Sequence, residues 1–500
     1  FTEVTQEGNL IIKRVELTQE QKELLNTKDN YGWDITSSME NGTFKYTLTL
    51  PNIYDNTNVE VKYTEDGNNY ESIQTNSIEN NRIVINGLDH FTVFIVINPL
   101  PTGVSNGGTC TVASINGTCY NTIQGAINAA SDGETINVAS GTYTENIVIN
   151  KAITLQGDNS NIPTINPSNT FNPILQVSTS GVTIKNIKIQ GTGTNSHGIS
   201  LLNGTNNLTL ENVSSINNGG NGIEISLYDY QGPISNLTLN NCNLSNNNIG
   251  FRTGSTTKVK TLTITNTNAE NNKTAGLYFN GPITGLTLDG GRYNNNKGSS
   301  NPTNGLGIYA VNFNNFPDGE KENMVLKNFT ANGNIRGVII NQAYGPFSIS
   351  NAEISNNSEE GLAVAPGANI SGLSFDNIKA NNNPKWGFWL ISYLGYTINN
   401  VTITNSSFNI STGTSGYEGT GLYLYAATGS TLSNVNISNT SMNGNRIGLY
   451  MRTVDSTSTI RNIKAENSSF VGNTQYGAYN NDLISRTIDF NFNVTNTMFL

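Results

Sequence analysis

From Gly198 onward one phrase of apolar and polar positions keeps returning: a glycine, an apolar residue, a variable residue and a second apolar residue. It reads Gly222-Ile223-Glu224-Ile225, Gly276-Leu277-Tyr278-Phe279, Gly361-Leu362-Ala363-Val364, Gly387-Phe388-Trp389-Leu390, Gly421-Leu422-Tyr423-Leu424 and Gly448-Leu449-Tyr450-Met451. From Gly198 to Gly477 successive glycines lie 24 to 34 residues apart. A period of that size is the mark of a solenoid. Within each interval a second piece alternates with strand period, as in Leu208-Thr209-Leu210, Leu262-Thr263-Ile264 and Val401-Thr402-Ile403. A third, short piece runs into an Asn cluster, as in Asn241 to Asn248 or Asn377 to Asn383. Three short strands per repeat with no helical pattern between them bury their apolar faces only if each pairs in parallel with its equivalent one turn later. The pattern therefore predicts an all-β fold, a right-handed parallel β-helix with three strands per rung.

Asn tolerates the left-handed backbone of a tight turn, and its amide can bond to the next rung. A column of Asn218, Asn247, Asn272, Asn295, Asn332, Asn357, Asn382, Asn443 and Asn473 is expected to form a structural ladder. The repeated glycine is expected at a corner of unusual φ.

The first 99 residues lack the repeat. Separate alternating runs (Leu10–Val15, Thr43–Leu50, Val59–Tyr63, Arg82–Ile85, Phe91–Val96) predict a small antiparallel β-sandwich over residues 1–99. Pro99 to Gly103 begins a linker, 100–109, and the β-helix is expected over 110–500, continuing beyond Leu500, because nothing after the alternating Thr487–Val494 reads as a cap. Its N-terminal cap is placed at 110–133, where Ile123, Ala126, Ile127 and Ala130 share one helical face and Ser131-Asp132-Gly133 ends the helix.

The stretch TIQGAINAASDGETINVASGTYTENIVINKAITLQG (residues 122–157) resembles the opening of right-handed parallel β-helix proteins of the pectate-lyase-like superfamily, notably pectin methylesterases and many bacterial and archaeal surface proteins. About 40 residues carry that wording. The resemblance implies the fold, while the superfamily's lyases, hydrolases, esterases, epimerases, phage tailspikes and adhesins leave the activity open.

The methylesterase resemblance brings no catalytic residues with it, because neither a Gln-Asp-Thr nor an Asp-Phe-Ile-Phe-Gly segment is present. Ser196-His197-Gly198-Ile199-Ser200 resembles a polygalacturonase phrase, but that family's Asp pair is missing upstream, so His197 reads as a corner residue and His90 as part of the sandwich. A glycosidase needs two carboxylates within about 9.5 Å. The acids Glu211, Asp289 and Asp376 recur in one column, but Asp289 stands three rungs from each neighbour, about 14 Å away at the β spacing. The best enzyme argument is the group Glu224, Asp229 and Arg252. Asp318 to Glu322 reads as a solvated insertion.

Composition narrows the partners. Charged residues make up 12% of the chain and the net charge is −10, which argues against nucleic acid, since phosphate binding needs concentrated Lys and Arg. No apolar run approaches the roughly 20 residues of a membrane span, and no cofactor or metal motif stands out. Cys110 and Cys119 flank a short turn at a spacing that a hairpin disulfide closes, which implies an extracellular, cell-surface location. Cys242 reads as a buried free thiol.

Strand alternation turns the residue two after each rung glycine outward. Along that column stand Tyr278, Tyr309, Trp389, Tyr423, Tyr450 and Tyr479, an exposed aromatic stripe for glycans or neighbouring surface subunits. The expected function is a noncatalytic stalk or adhesin. The alternatives are a carbohydrate-active enzyme (polysaccharide lyase or hydrolase) and a self-assembling filament or surface-layer subunit.

Overall fold

The computed structural model describes residues 8–18, 21, 25, 31–51, 60–64, 70–73, 77–79, 82–90, 92–97, 110–191, 196–202, 204–225, 233–298, 305–315, 319, 322–482, 493–495 and 498–499. Asp229, most of the 318–322 loop, the whole linker 100–109 and most of Thr487–Val494 lie outside them. The chain divides into two compact units, Phe1–Gly107 with Thr118–Asn121, and Gly108–Gly117 with Thr122–Leu500.

The first unit is an antiparallel sandwich. One sheet has the order Leu10–Glu16, Tyr31–Ser37, Val93–Ile97, Glu60–Thr64, Glu71–Ile73, and the other Tyr46–Pro51, Arg82–Leu88, Ser77–Glu79. Ile35, Val61 and Phe94 from the first meet Tyr46, Leu50 and Ile83 from the second in one core. Sequence reading misses the strand Tyr31–Ser37, because Gly and Asp are poor strand formers. Here Gly32 is required by packing: a Cβ would stand 2.7 Å from the Ile95 side chain and 3.1 Å from the Phe94 carbonyl.

The second unit is the right-handed parallel β-helix, three strands per rung. Ile223–Ile225 pairs in parallel with Ile249–Thr253, Glu224 opposite Arg252, and equivalent pairings continue rung by rung to Ile447–Thr453 against Tyr476–Asp482. The third strand shrinks after Ser214–Ile216 to pairings of one or two residues, such as the single parallel bridges of Ser214 with Asn243 and Lys379 with Ser407 and the short pair Ser469–Phe470 with Met498–Phe499. Large side chains fill the bore: Phe313, Phe347, Phe375, Phe388 and Phe408 form a continuous series with ring centroids 4.7 to 5.9 Å apart. The cap is helix α1 (Ile123–Ala129), whose Ile123, Ala126 and Ile127 are buried. Thr122 accepts from Gly125 N–H, and the Glu145 carboxylate accepts from Ile123 and Gln124 N–H, so the open helix end is satisfied. Cys110 and Cys119 are disulfide-bonded, while Cys242 is a buried free thiol.

Two sequence expectations need correction. The rung glycines do not adopt positive φ. They are glycines because the rungs crowd them: a Cβ at Gly222, Gly250, Gly307, Gly337 or Gly361 would come within 2.5 to 2.6 Å of the next rung glycine's carbonyl oxygen. The ladder also runs through partly different residues: Asn218, Asn247, Asn272, Asn296, Asn334, Asn357 and Asn383, then Ser411, Asn445 and Asn473. Asn295, Asn332, Asn382 and Asn443 stand one or two positions off it. In each rung the residue just before the ladder takes the left-handed conformation, as Asn217, Asn246, Asn295, Gly333, Asn382 and Gly444 do, and this turn drives the next amide inward. There its Oδ1 accepts the previous ladder residue's backbone N–H at 2.8 to 2.9 Å. Its Nδ2 donates to a backbone carbonyl of the previous rung in the cases of Asn247, Asn334, Asn383 and Asn445.

This register has a direct test. Asn296→Leu removes the acceptor of the buried Asn272 N–H and is expected to cost about 1–3 kcal/mol. Asn295→Gly, at a turn position glycine tolerates, is expected to stay within about 0.5 kcal/mol. Urea unfolding of the two variants checks the assignment.

Candidate functional site

The outward column has the register expected of it: Tyr278 is opposite Tyr309, and Trp389, Tyr423, Tyr450 and Tyr479 are successive partners. It is not one exposed stripe. Tyr278 and Tyr309 stack at 4.9 Å and pack with Ile249, Ala275 and Leu306 as a separate patch. The other four form a stack of their own, at 6.1 Å for Trp389–Tyr423, 5.0 Å for Tyr423–Tyr450 and 5.5 Å for Tyr450–Tyr479. Within it Tyr423 and Tyr450 are only 2% and 1% exposed. The cover comes from outside the column. Tyr417, in the long connection between Gly387 and Gly421, lies 5.5 Å from Tyr450 and 6.1 Å from Tyr423, ring to ring. It is held by Trp386 Nε1 and Thr420 Oγ1, both donating to its carbonyl, and by the Arg452 guanidinium 4.0 Å over its ring.

Between the two patches the column reads Ile339, Ala363. The small side chain of Ala363, with Ala365 and Ala427 nearby, leaves a cleft of about 670 Å³ bounded by Trp386, Trp389, Tyr423 and Tyr425. Its charged lining comes from Arg336, Glu360 and Arg452. None of these three, nor Trp386 or Tyr425, was legible from the position two after the glycine. Arg336, Glu360 and Trp386 precede their rung glycines, while Tyr425 and Arg452 stand four after theirs. The column preceding the glycines, and the 34-residue interval that holds Tyr417, were the available signals.

Two donors of this lining, Trp389 Nε1 and Arg452 Nε, are buried without a hydrogen-bond partner in the described structure. An unsatisfied buried group of this kind costs about 1–3 kcal/mol. Both residues line the one cleft. Behind the cleft Arg336 Nε reaches Glu359 Oε2 at 2.8 Å and Glu360 Oε2 at 3.2 Å, and Lys385 Nζ reaches Glu359 Oε1 at 3.1 Å. Burial pushes the Glu360 carboxyl up to about 7, against the pull of Arg336 and with the repulsion of Glu359. Burial also raises Glu359, but its bonds to Arg336 and Lys385 outweigh that and hold it below the usual carboxylate range.

The other described candidates have partners within their own units. Glu224 is buried, with Arg252 Nη1 at 2.7 Å on one oxygen and Asn221 Nδ2 at 2.6 Å on the other. His197 accepts from Asn221 N–H through Nδ1, a corner role, and burial then Arg252 lower its pKa. Glu211 pairs with Lys185 and Asp289 with Lys327, while Asp376 accepts from Thr404 and Asn405. His90 bonds Asp89 inside the sandwich. Among the described residues no group of His, Cys, Asp and Glu is arranged to hold a metal ion, and no helix is long and apolar enough to cross a membrane.

The Glu360 shift has a sign that can be measured. Its folded value lies above the ordinary carboxylate value, so its contribution to stability is full below pH 4 and is lost as pH rises through about 7. Glu360→Gln removes that dependence. The melting temperature of the variant minus that of the wild type is expected to grow in the variant's favour from pH 5 to pH 8, as thermal unfolding across that range would read.

No protein-family model matches the chain, and no curated protein does. Among solved structures, a mannuronan C-5 epimerase A-module of Azotobacter vinelandii is similar at 14% identity, covering 72% of this chain and 91% of that one with a TM-score of 0.39. A periplasmic alginate epimerase is similar at 10% identity, covering 74% and 85% with a TM-score of 0.31. The Dettilon tailspike protein is similar at 11%, covering 65% and 59% with a TM-score of 0.35. None of these three is a pectin methylesterase, and that resemblance rests on residues 122–157 alone. These matches stand at 10 to 14% identity with TM-scores of 0.31 to 0.39, and the parallel β-helix rests on this chain's own strand pairings.

Proposed function

We propose that this chain is a noncatalytic, extracellular surface protein, a stalk or adhesin, that binds glycan in the aromatic cleft of its β-helix. In this reading residues 1–99 are a sandwich domain joined through 100–109 to the helix. The observation that carries it is the union in one cleft of the Trp386, Trp389 and Tyr423 rings with the unpartnered donors Trp389 Nε1 and Arg452 Nε. Ring faces offer sugars a flat apolar platform, and convergent donors fix the hydroxyls or acids of the bound residue. The disulfide supports an oxidising location. Hydrolysis of a glycosidic bond uses a pair of carboxylates, whereas Glu360 is the carboxyl group lining this cleft.

A second reading, a self-assembling filament or surface-layer subunit, is favoured by the sandwich's edge strand Leu10–Glu16. There Leu10, Ile11 and Ile12 are 42%, 50% and 56% exposed beside an open edge.

The test is a glycan array probed with the wild type, Trp389→Phe and Arg452→Met. Trp389→Phe keeps a ring while removing the donor, and each variant is expected to weaken glycan retention about tenfold or more while still unfolding cooperatively. No retention by the wild type would overturn the binding reading. Shortened or unsaturated products after incubation would show an enzyme, and concentration-dependent polymers in native preparations would favour the subunit.

A further inference from the structure

Glu360 stands apart from every other carboxyl group in the β-helix so far described. Glu224 has both oxygens bonded, and Glu359 is held by two cations. Glu360 is 6% exposed, meets the Arg336 it shares with Glu359 through Oε2 at 3.2 Å, and lines the cleft. It is also registered opposite Trp386 on the next rung, whose ring lies 4.4 Å from that of Trp389. The carboxyl group therefore sits at the head of the ring platform.

The charges around it are few. Arg336 comes from the preceding rung, Glu359 precedes Glu360 in the chain, Lys385 comes from the following rung, and Arg452 lines the far side of the cleft. With Glu360 ionised, Arg336 and Lys385 are balanced by two carboxylates. With a proton on Glu360 the same group carries one net positive charge, and Arg452 adds another across the cleft. The protonated carboxyl group then also carries a hydroxyl able to donate.

We propose that Glu360 is the specificity-determining residue of the cleft, a proton-operated gate that admits a ligand's anionic group when protonated and rejects it when ionised. The proton comes from and returns to solvent, and no bond of the ligand changes. The inference rests on the reading that this cleft takes a ligand, but it is tested without one. Neutral ligands are indifferent to the gate and anionic ones follow it, so the protein's preference between neutral and acidic glycans changes with the acidity of its surroundings. The near-neutral carboxyl places that change around pH 7.

Two of the chain's three tryptophans, Trp386 and Trp389, line the cleft, so quenching of tryptophan emission in the full chain reads its interior. Iodide serves as the anionic probe and acrylamide as the neutral one, at constant ionic strength from pH 5.5 to 8.5. In the wild type the iodide quenching constant is expected to fall about threefold as pH rises through about 7, the effect of one unit charge roughly 6 Å away in water. Acrylamide quenching is expected to stay flat. Glu360→Gln is expected to quench with iodide at the low-pH level throughout, and Glu360→Asp to restore a pH-dependent step. An identical iodide profile in the wild type and Glu360→Gln, or an acrylamide profile that follows the iodide one, would overturn the gate. If the iodide gate holds while no glycan is retained at any pH, the glycan reading fails and the gate stands. If glycans bind with no iodide step, the reverse is true.

Discussion

Everything in the β-helix depends on how closely one rung can approach the next beside the ladder. At each rung a glycine faces the carbonyl of the next rung's glycine, and at many of them it also faces an inward Asn amide, as at Gly222 with Asn247, Gly361 with Asn383 and Gly421 with Asn445. The missing Cβ and the buried amide are one device. The amide fills the space that a side chain would take and binds the backbone of the rung before it. A left-handed residue ahead of each ladder position points the amide inward, and the described non-glycine residues in that conformation are Asn apart from Thr261, Gln342, Leu394, Ile410 and Thr428. The Asn content of the chain is thus the chemistry of its corners.

Strict stacking converts a column of residues into a surface. Once the rungs are in register, side chains that precede a glycine, and those two and four after it, rise on the same outer face, and chemistry is set by which residues fall in line. Aromatic rings in consecutive rungs support one another, as cross-strand pairs do. A small residue opens a hollow, and Ala363 between Ile339 and Trp389 does so here. Where the ladder changes to Ser411, preceded by the left-handed Ile410, the chain also makes its longest connection between rung glycines, the one that brings Tyr417 over the rings.

The period, the three-strand rung, the capping helix and the outward register were legible because each is an alternation of apolar and polar residues that a one-residue slip would invert. The ladder was legible in kind but not in register. In a run such as Asn294-Asn295-Asn296 the three side chains are chemically identical, and only the backbone turn at Asn295 selects which points inward. The aromatic column was legible as a column, but its burial was not, since the cover is supplied by Tyr417 and Arg452, remote in sequence from Trp389. Glu360 was invisible for a related reason. Its environment is built from Arg336, Glu359 and Lys385, two of which come from other rungs, and no spacing along the chain announces that they converge.

The direction of the ladder has one more consequence. Each Asn oxygen accepts from the rung before it, and the amide nitrogens bond either back to that rung or forward to the next Asn oxygen, so a turn of the helix needs only its immediate neighbours. A coil of this kind can gain or lose whole turns without rewriting the rest. The height of the cleft above the capped end is therefore a whole number of steps of about 4.8 Å. Position and chemistry can then vary independently: turns set how far the cleft lies from the cap, and the few rungs from Arg336 to Arg452 set its lining.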